Sequence, residues 1–427
     1  MGASIQGQLR NLTGFGDLLK LSYGTNSAGS KDTHLTYTIP SVTRKLHSLD
    51  FITRIYDDNS LSTFSSFHKN ALSMAASLTT VDRRHKLTLQ SVIRDEVPVP
   101  SSIESSNLAS STPSNILSNV NANSSNQSAL SNPSFFGLLQ SINTVHKHTS
   151  PAVLALLSPS TKTSLTYSHT KDSRDSSSHP TKGSLFSSSV ELAVPPGSAQ
   201  YVRADISLEK HSTLLASKSN PSQRIVGSLC GSFATTRVLD FTSLWSTDIS
   251  DRDDNNVHIN GKGERKLCHM SDRLFLGGPL SLRGLNLNGA GPRSFRRSPT
   301  DSASIEPGLM SKPPDVGDAL GGLTKITALA ALSSPLPFSH QAAENIKTIL
   351  FLNGAVLLPH TVFPLAAPNS ATHSDILSCL RLSVGAGLSY SMGPVRLELT
   401  YALPLLTSSH DNTKSFQIGV ALGMNSS

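Results

Sequence analysis

Residues 272–293 read DRLFLGGPLSLRGLNLNGAGPR, and they set Arg283 between Leu282 and Gly284, with Leu285 next and Gly277, Gly278, Gly289 and Gly291 around it. A guanidinium offers five donors in a rigid fork and stays charged at any physiological pH. In an apolar, glycine-rich loop it needs an acceptor brought from elsewhere in the protein. A phosphate cradle is the first chemistry to test, and the spacing excludes it: the glycines fit neither G-x-G-x-x-G nor G-x-x-x-x-G-K-[ST]. Cys230, Cys268 and Cys379 show no C-x-x-C spacing, and 15 histidines are scattered without H-E-x-x-H. No catalytic group, cofactor or metal is expected.

The elements that hold Arg283 follow from composition and periodicity. The protein has 427 residues, of which 15% are charged and 37% hydrophobic. Typical globular domains carry roughly 25% charge. Ser, Thr, Gly and Asn fill the difference, which fits short strands with one apolar and one polar face. The formal charge of +7 is spread thinly, with no basic cluster interleaved with aromatics. That argues against a nucleic-acid partner and for a basic lumen or a surface facing acidic lipid. The start, MGASIQGQLRNLTG, lacks the basic-then-apolar order of a secretory signal, and Gln6 stands where a myristoylation motif wants Ser or Thr. The most apolar stretch, Thr348–Ala367, is interrupted by Asn353, Gly354, Pro359, His360 and Pro364. It reads as two strands and a turn, not a spanning helix.

Period two recurs throughout. VRLELTYAL places Val395, Leu397, Leu399, Tyr401 and Leu403 on one face and Arg396, Glu398, Thr400 and Ala402 on the other. SFQIGVALGM, YVRADISL, LLKLSYG and HLTYTI repeat the pattern. About sixteen such segments run from 3–12 to 413–424, among them 135–145 and 318–331. Two sheets would bury such faces in a soluble sandwich. One sheet closed in a bilayer turns them to lipid. Strands of roughly 8 to 12 residues match a tilted span. The expected fold is an all-β, closed antiparallel transmembrane barrel over 1–427, with Thr400 as an open lumen position. Two segments break the rhythm: Ser/Asn-rich 95–134, expected to be disordered, and the long loop 239–317 that carries the arginine.

At FLGGPLSLRGL the sequence resembles the barrel-assembly superfamily of bacterial surface antigens, and within it the core subunits of the mitochondrial sorting and assembly machinery. LRNLTGFGDLLKLSYG is similar to the first hairpin of that barrel, and GDALGG to the strand after the long loop. Asp172, Arg174, Asp175, Pro180 and Gly183 match the family's central segment, D-x-R-D…P-x-x-G, and VGAGLSYSMGPVRLELTYALPL its C-terminal hairpin. The resemblance implies that the long loop folds into the lumen and that Arg283 docks on the inner wall. Gly284 would allow the close approach, and Leu282 and Leu285 would fill shallow pockets. Gly277 and Gly278 belong to the same motif. Leu285 stands where the family favours an aromatic, and the wall pattern F-x-[DN]-x-G falls on Phe351, Asn353 and Ala355. Asn353 can accept a hydrogen bond from Arg283 but offers no charge, so Asp318 or Glu398 is the expected counter-ion. The first strand is expected within a few residues of Met1, which leaves out the soluble POTRA domain that most members carry.

The function so implied is insertion of β-barrel precursors into the mitochondrial outer membrane, templated at a seam between first and last strands. The implied partners are precursor polypeptides, accessory outer-membrane assembly subunits and the bilayer, with no nucleic acid, small-molecule substrate or bond chemistry. A porin-like channel and a plastid or bacterial member of the superfamily are the alternatives. Gln417, Gly419, Leu422 and Met424 fit polar-x-Gly-x-x-hydrophobic-x-hydrophobic, which resembles the sorting signal of mitochondrial outer-membrane barrels. An ordinary last amphipathic strand would show the same alternation.

Overall fold

A computed structural model of the protein describes residues 2–26, 30–43, 46–98, 149–177, 179–216, 224–239, 268–296, 317–336, 345–361, 376–392 and 395–422. Its strands in sequence order are β1 Gly2–Arg10, β2 Leu18–Asn26, β3 Lys31–Thr43, β4 Leu46–Asp58, β5 Phe67–Thr80, β6 His85–Pro98, β7 Ser160–Asp172, β8 Gly183–Val194, β9 Tyr201–Ala216 and β10 Arg224–Val238. Then come the two-residue strands β11 Arg293–Ser294 and β12 Asp318–Ala319, followed by β13 Thr324–Pro335, β14 Ile346–Leu358, β15 Leu380–Met392, β16 Val395–Leu406 and β17 Phe416–Leu422. β11 and β12 pair with each other. The other fifteen make one sheet in sequence order, antiparallel at every pairing, with β1 and β17 as its ends.

Local chemistry sets the turns. Between β1 and β2, the Asp17 carboxylate accepts from the Thr13 N–H at 3.0 Å and the Thr13 hydroxyl at 2.8 Å. Asn11, at φ 59°, accepts from the Gly16 N–H at 2.9 Å. This is the side-chain-to-backbone bonding that favours Asx residues in turns. The D-x-R-D segment builds the β7–β8 connection. Arg174 forks onto Asp172 and reaches Glu209 on β9 at 3.0 Å, while Asp175 accepts from the Thr181 N–H at 2.8 Å.

The sheet is inside-out relative to a soluble protein. On β16, Leu397, Leu399, Tyr401 and Leu403 are 41, 40, 55 and 50% exposed, while Glu398, Thr400 and Ala402 are 2, 1 and 0% exposed. Leu397, Leu399 and Tyr401 oppose Val420, Ile418 and Phe416 on β17, so apolar side chains form a continuous outer band. Exposed apolar residues recur around the sheet, among them Ile55, Leu89, Leu208 and Leu350. A sandwich would have buried this face. A lipid-facing barrel wall presents it, with polar groups inside. The long loop contacts β6, β14, β16 and β17, far apart in strand order, so the sheet wraps around it. Among the described residues, no helix is long and apolar enough to cross a membrane.

Fifteen of the sixteen expected segments are strands. The sixteenth, 135–145, lies outside the described residues, and β6 pairs directly with β7 from His85↔His169 to Arg94↔Ser160. Three expectations are corrected. Asp95–Pro98 continues β6 instead of opening the Ser/Asn-rich loop, because Arg94 and Glu96 face the lumen, where charge is satisfied; residues 99–134 lie outside the described residues. The strand expected at 318–331 begins at Thr324, since Asp318 turns inward to cap other elements. Thr400 faces inward but is covered by the loop, so an arginine there would not be accommodated.

Leu397→Arg is expected to cost about 2 to 4 kcal/mol near the midplane. It should halve or abolish membrane integration in a carbonate-extraction assay. Leu287→Arg, on the half-exposed loop surface, should leave integration unchanged.

Candidate functional site

The described part of the loop, residues 268–296, lies in the lumen. Its shape is fixed by backbone bonds among its own residues and by glycines where no side chain fits. Gly278 N–H donates to the Leu285 carbonyl at 3.1 Å, Gly278 bridges to Leu282, and Ala290 N–H donates to the Leu276 carbonyl at 3.1 Å. Gly277 sits at φ 125°, and a Cβ there would lie 2.3 Å from the Asn286 carbonyl oxygen. The leucines do the packing. Leu274, Leu276, Leu282, Leu285 and Ala290 form one buried cluster with Ala234, Ala355 and Leu357 of the wall. Leu282 and Leu285 are fully buried. The apolar neighbours of Arg283 therefore make a dry collar, which strengthens any charge pairing inside it.

Within that collar Arg283 Nη2 donates to Glu398 Oε2 of β16 at 2.6 Å, and both side chains are almost wholly buried. Its guanidinium stands 5.0 Å from the centre of the Phe351 ring on β14, a cation–π arrangement. Arg396 Nε lies 3.1 Å from the other Glu398 oxygen. Of the three candidate wall residues, Glu398 is the one that meets Arg283. Asn353 Nδ2 donates to the Ser281 carbonyl at 3.1 Å, so it holds the loop backbone two residues earlier. Asp318 accepts from the Ser66 hydroxyl at 2.6 Å, the Ser150 N–H at 2.9 Å and Arg296 Nε at 2.7 Å, and so fastens the loop's exit. Gly284, at φ 91°, brings the backbone against Ala402 and Ser383, where a Cβ would stand 3.3 and 3.4 Å away.

A second anchor escaped the sequence reading. Arg94 of β6 forks onto both carboxylate oxygens of Asp272 and donates through Nε to the Ser160 hydroxyl at 2.6 Å. Tyr201 donates to Asp272 at 3.2 Å and lies 3.1 Å from Glu191, which also holds Lys162 at 2.8 Å. Asp272 opens the quoted stretch, but no spacing ties it to a residue 178 positions earlier. A third clamp, Asp411, binds Arg381 at 3.0 Å and the Ser408 N–H at 2.7 Å, and accepts from the loop's Gly291 N–H at 3.3 Å.

Burial works to raise the Asp272 carboxyl pKa, but hydrogen bonding and charge from Arg94 outweigh it, so the group is held below its ordinary value. A depressed docked-state pKa stabilises docking above the free carboxyl value of about 3.9 and loses that contribution only as pH falls through the lower docked value. Loop hydrogen exchange, corrected for intrinsic rate, should therefore stay flat from about pH 7 to about pH 4. A rise in exchange centred near pH 6 would contradict this.

Gln417 and Gly419 of β17 face the lumen and are buried under the loop tip. Gly284 N–H donates to Gln417 Oε1 at 3.1 Å, and Gln417 Nε2 donates to the Leu285 carbonyl at 2.6 Å. Leu422 pairs with Val395 in the β16–β17 ladder. Met424 lies outside the described residues.

The sequence matches the Omp85 superfamily domain over residues 11–423. A SAM50-like protein of Schizosaccharomyces pombe is 28% identical over 281 residues, covering 65% of this chain and 47% of that protein. The mouse (Mus musculus) sorting and assembly machinery component 50 homolog is 29% identical over 253 residues, covering 58% of this chain and 42% of its own length. The chain thus spans about half the length of the curated relatives it matches. Among solved structures, BamA from Haemophilus ducreyi lacking POTRA domains 1–3 superposes with a TM-score of 0.63 at 17% identity, covering 98% of this chain and 67% of that one. That likeness is one of fold.

Proposed function

The chain belongs to the Omp85 superfamily, and from that membership we propose that it inserts β-barrel precursors into the mitochondrial outer membrane. The relatives named as sorting and assembly machinery components support this reading over a plastid or bacterial one. The reaction makes and breaks hydrogen bonds only. Its partners are precursor polypeptides, accessory assembly subunits and the bilayer.

One observation carries the reading: among the described residues, β1 ends the sheet with one side unpaired, beside a filled lumen. β1 is hydrogen-bonded to β2 on one side, and Ser4 through Arg10 are exposed on both faces. An unpaired row of N–H and C=O groups is a template for another strand, and the drive to fill it is strongest where water is scarce. With fifteen strands antiparallel at every pairing, β1 and β17 run in the same direction. A single incoming strand laid between them is antiparallel to both. The docked loop occupies the space that a passive channel would leave open.

The test places a cysteine at Ile5, an exposed outer residue of β1, and imports a radiolabelled barrel precursor into mitochondria carrying the variant. Crosslinks that appear early and fade as assembly finishes are expected. Their absence, with precursor assembly proceeding normally, would overturn templating at this edge.

A further inference from the structure

The two ends of the sheet are held very differently. Among the described residues, β17 is the shortest of the fifteen sheet strands, at 7 residues, and pairs with β16 from Val395↔Leu422 to Tyr401↔Phe416. On ladder length alone it should fray first, before β1 with its nine pairs to β2. The loop changes that order. The Gln417 carboxamide is bonded at both ends, its oxygen to the Gly284 N–H and its nitrogen to the Leu285 carbonyl. Gly419 lies under Pro279 and Leu280, where a Cβ would stand 3.2 Å from each side chain. The connection entering β17 is tied to the same loop: Lys414 N–H donates to the Gly284 carbonyl at 2.9 Å, and Asn286 N–H to the Asn412 carbonyl at 2.8 Å. Among the described residues, no loop group hydrogen-bonds to β1.

We propose that Gln417 and Gly419 are positioning residues that, with loop residues Pro279–Leu285, latch the last strand, so that the seam yields on the β1 side while β17 stays fixed. The proposal rests on the seam-templating reading and adds which side moves. The residue types suit the task. A carboxamide donates and accepts at once, matching a backbone N–H and C=O that are near neighbours in the loop. The Gly284 N–H, buried and unmatched, would be costly, while the Leu285 carbonyl, which also accepts from the Gly278 N–H, would lose the shorter of its two bonds. A glycine two residues on lets the loop lie flat against the strand. The latch sits on the loop segment that Arg283 anchors to β16, so loop docking and the rigidity of β17 are coupled. The two residues that resemble a sorting signal are thereby covered once the barrel has folded.

The experiment is hydrogen exchange on the full-length protein in lipid nanodiscs, resolved to individual strands. The unmodified protein should exchange β17 amides at least about tenfold more slowly than β1 amides, the scale of one buried hydrogen bond. Gln417→Glu replaces the donor to Leu285 with an oxygen facing an oxygen. Leu280→Ala removes the cover over Gly419 from the loop side. Each should raise β17 exchange about tenfold and leave β15 unchanged. If Gln417→Glu fails to insert, Leu280→Ala and the unmodified asymmetry decide the matter. Equal exchange of β1 and β17 in the unmodified protein overturns the latch, and so does an asymmetry that Leu280→Ala leaves intact. Precursor crosslinking at Ile5→Cys separates the two readings. Crosslinks without asymmetry sink the latch and keep templating, whereas asymmetry without crosslinks does the reverse.

Discussion

Arg283→Ala is expected to release the loop tip and slow precursor assembly severalfold while the barrel still integrates. The substitution leaves Glu398 in a pocket where it is 2% exposed. Breaking a buried pair by removing one partner costs about 3 to 5 kcal/mol, because the surviving charge is left uncompensated. Arg396 stays beside Glu398, so the lower end of that range applies. A few kcal/mol loosens a tip that otherwise rests on its buried leucines and the Gln417 and Asn353 bonds, but it is small against fifteen paired strands. Arg283→Lys should be nearly as damaging. An ammonium keeps the charge but loses the planar face set against Phe351 and the fixed reach to Glu398. Joint replacement, Arg283→Met with Glu398→Met, removes both charges and should recover most of the stability, yet not the assembly rate if the pair serves loop position. The checks are tryptic cleavage at Arg293 and single-turnover assembly of a labelled precursor. Full loop protection with normal assembly in Arg283→Ala would show the pair to be incidental.

The barrel wall was legible in the sequence because alternation is a local property. VRLELTYAL displays its two faces without reference to any other strand, and the exposures of Leu397 through Leu403 follow it residue by residue. The loop was legible because its leucines and glycines cluster within one stretch. Glu398 could be named as a counter-ion candidate because its strand face was known. What alternation cannot show is which inward residues meet across the lumen, since that depends on how far the sheet curls. Arg94 on β6 and Asp272 in the loop after β10 meet only after the strands between them have curled around the loop. The charge at Asp95 and Glu96 makes the end of β6 look like the start of a polar loop. In a lumen, a strand carries charge inward. GDALGG precedes an apolar run, which suggests a wall strand for Asp318. The carboxylate instead reaches Ser66 and Ser150, partners more than 160 residues away. The sorting-signal pattern at Gln417 and Gly419 concerns what an assembly machinery would see in an unfolded strand. It carries no information about what covers those residues afterwards.

Asp272→Ala should have the larger effect of the two anchor substitutions, and it should act at the other end of the loop. Arg94 is 5% exposed and spends three donors on Asp272 and Ser160, and Asp272 supplies its closest charge. Glu96 lies farther off, at 3.8 Å from Arg94 Nε. Removing the carboxylate strands a buried guanidinium and takes an acceptor from Tyr201, so the upper part of the roughly 3 to 5 kcal/mol range applies. Asp272→Asn keeps the shape and one acceptor oxygen and should cost less. The protein carries its own reporter: Cys268, four residues before Asp272, is 6% exposed, and burial pushes its thiol up to about 12. A thiol so placed is nearly inert to maleimide, because the thiolate is the reactive form. In a Cys230→Ser, Cys379→Ser background, Asp272→Ala should label at Cys268 at least about tenfold faster than the parent, as the released thiol returns toward its usual pKa of about 8.5. Arg283→Ala frees the tip but leaves the Arg94–Asp272 anchor, and should label slowly. Equal labelling in the two variants would mean that the loop undocks as one unit and that the anchors at its two ends do not act independently.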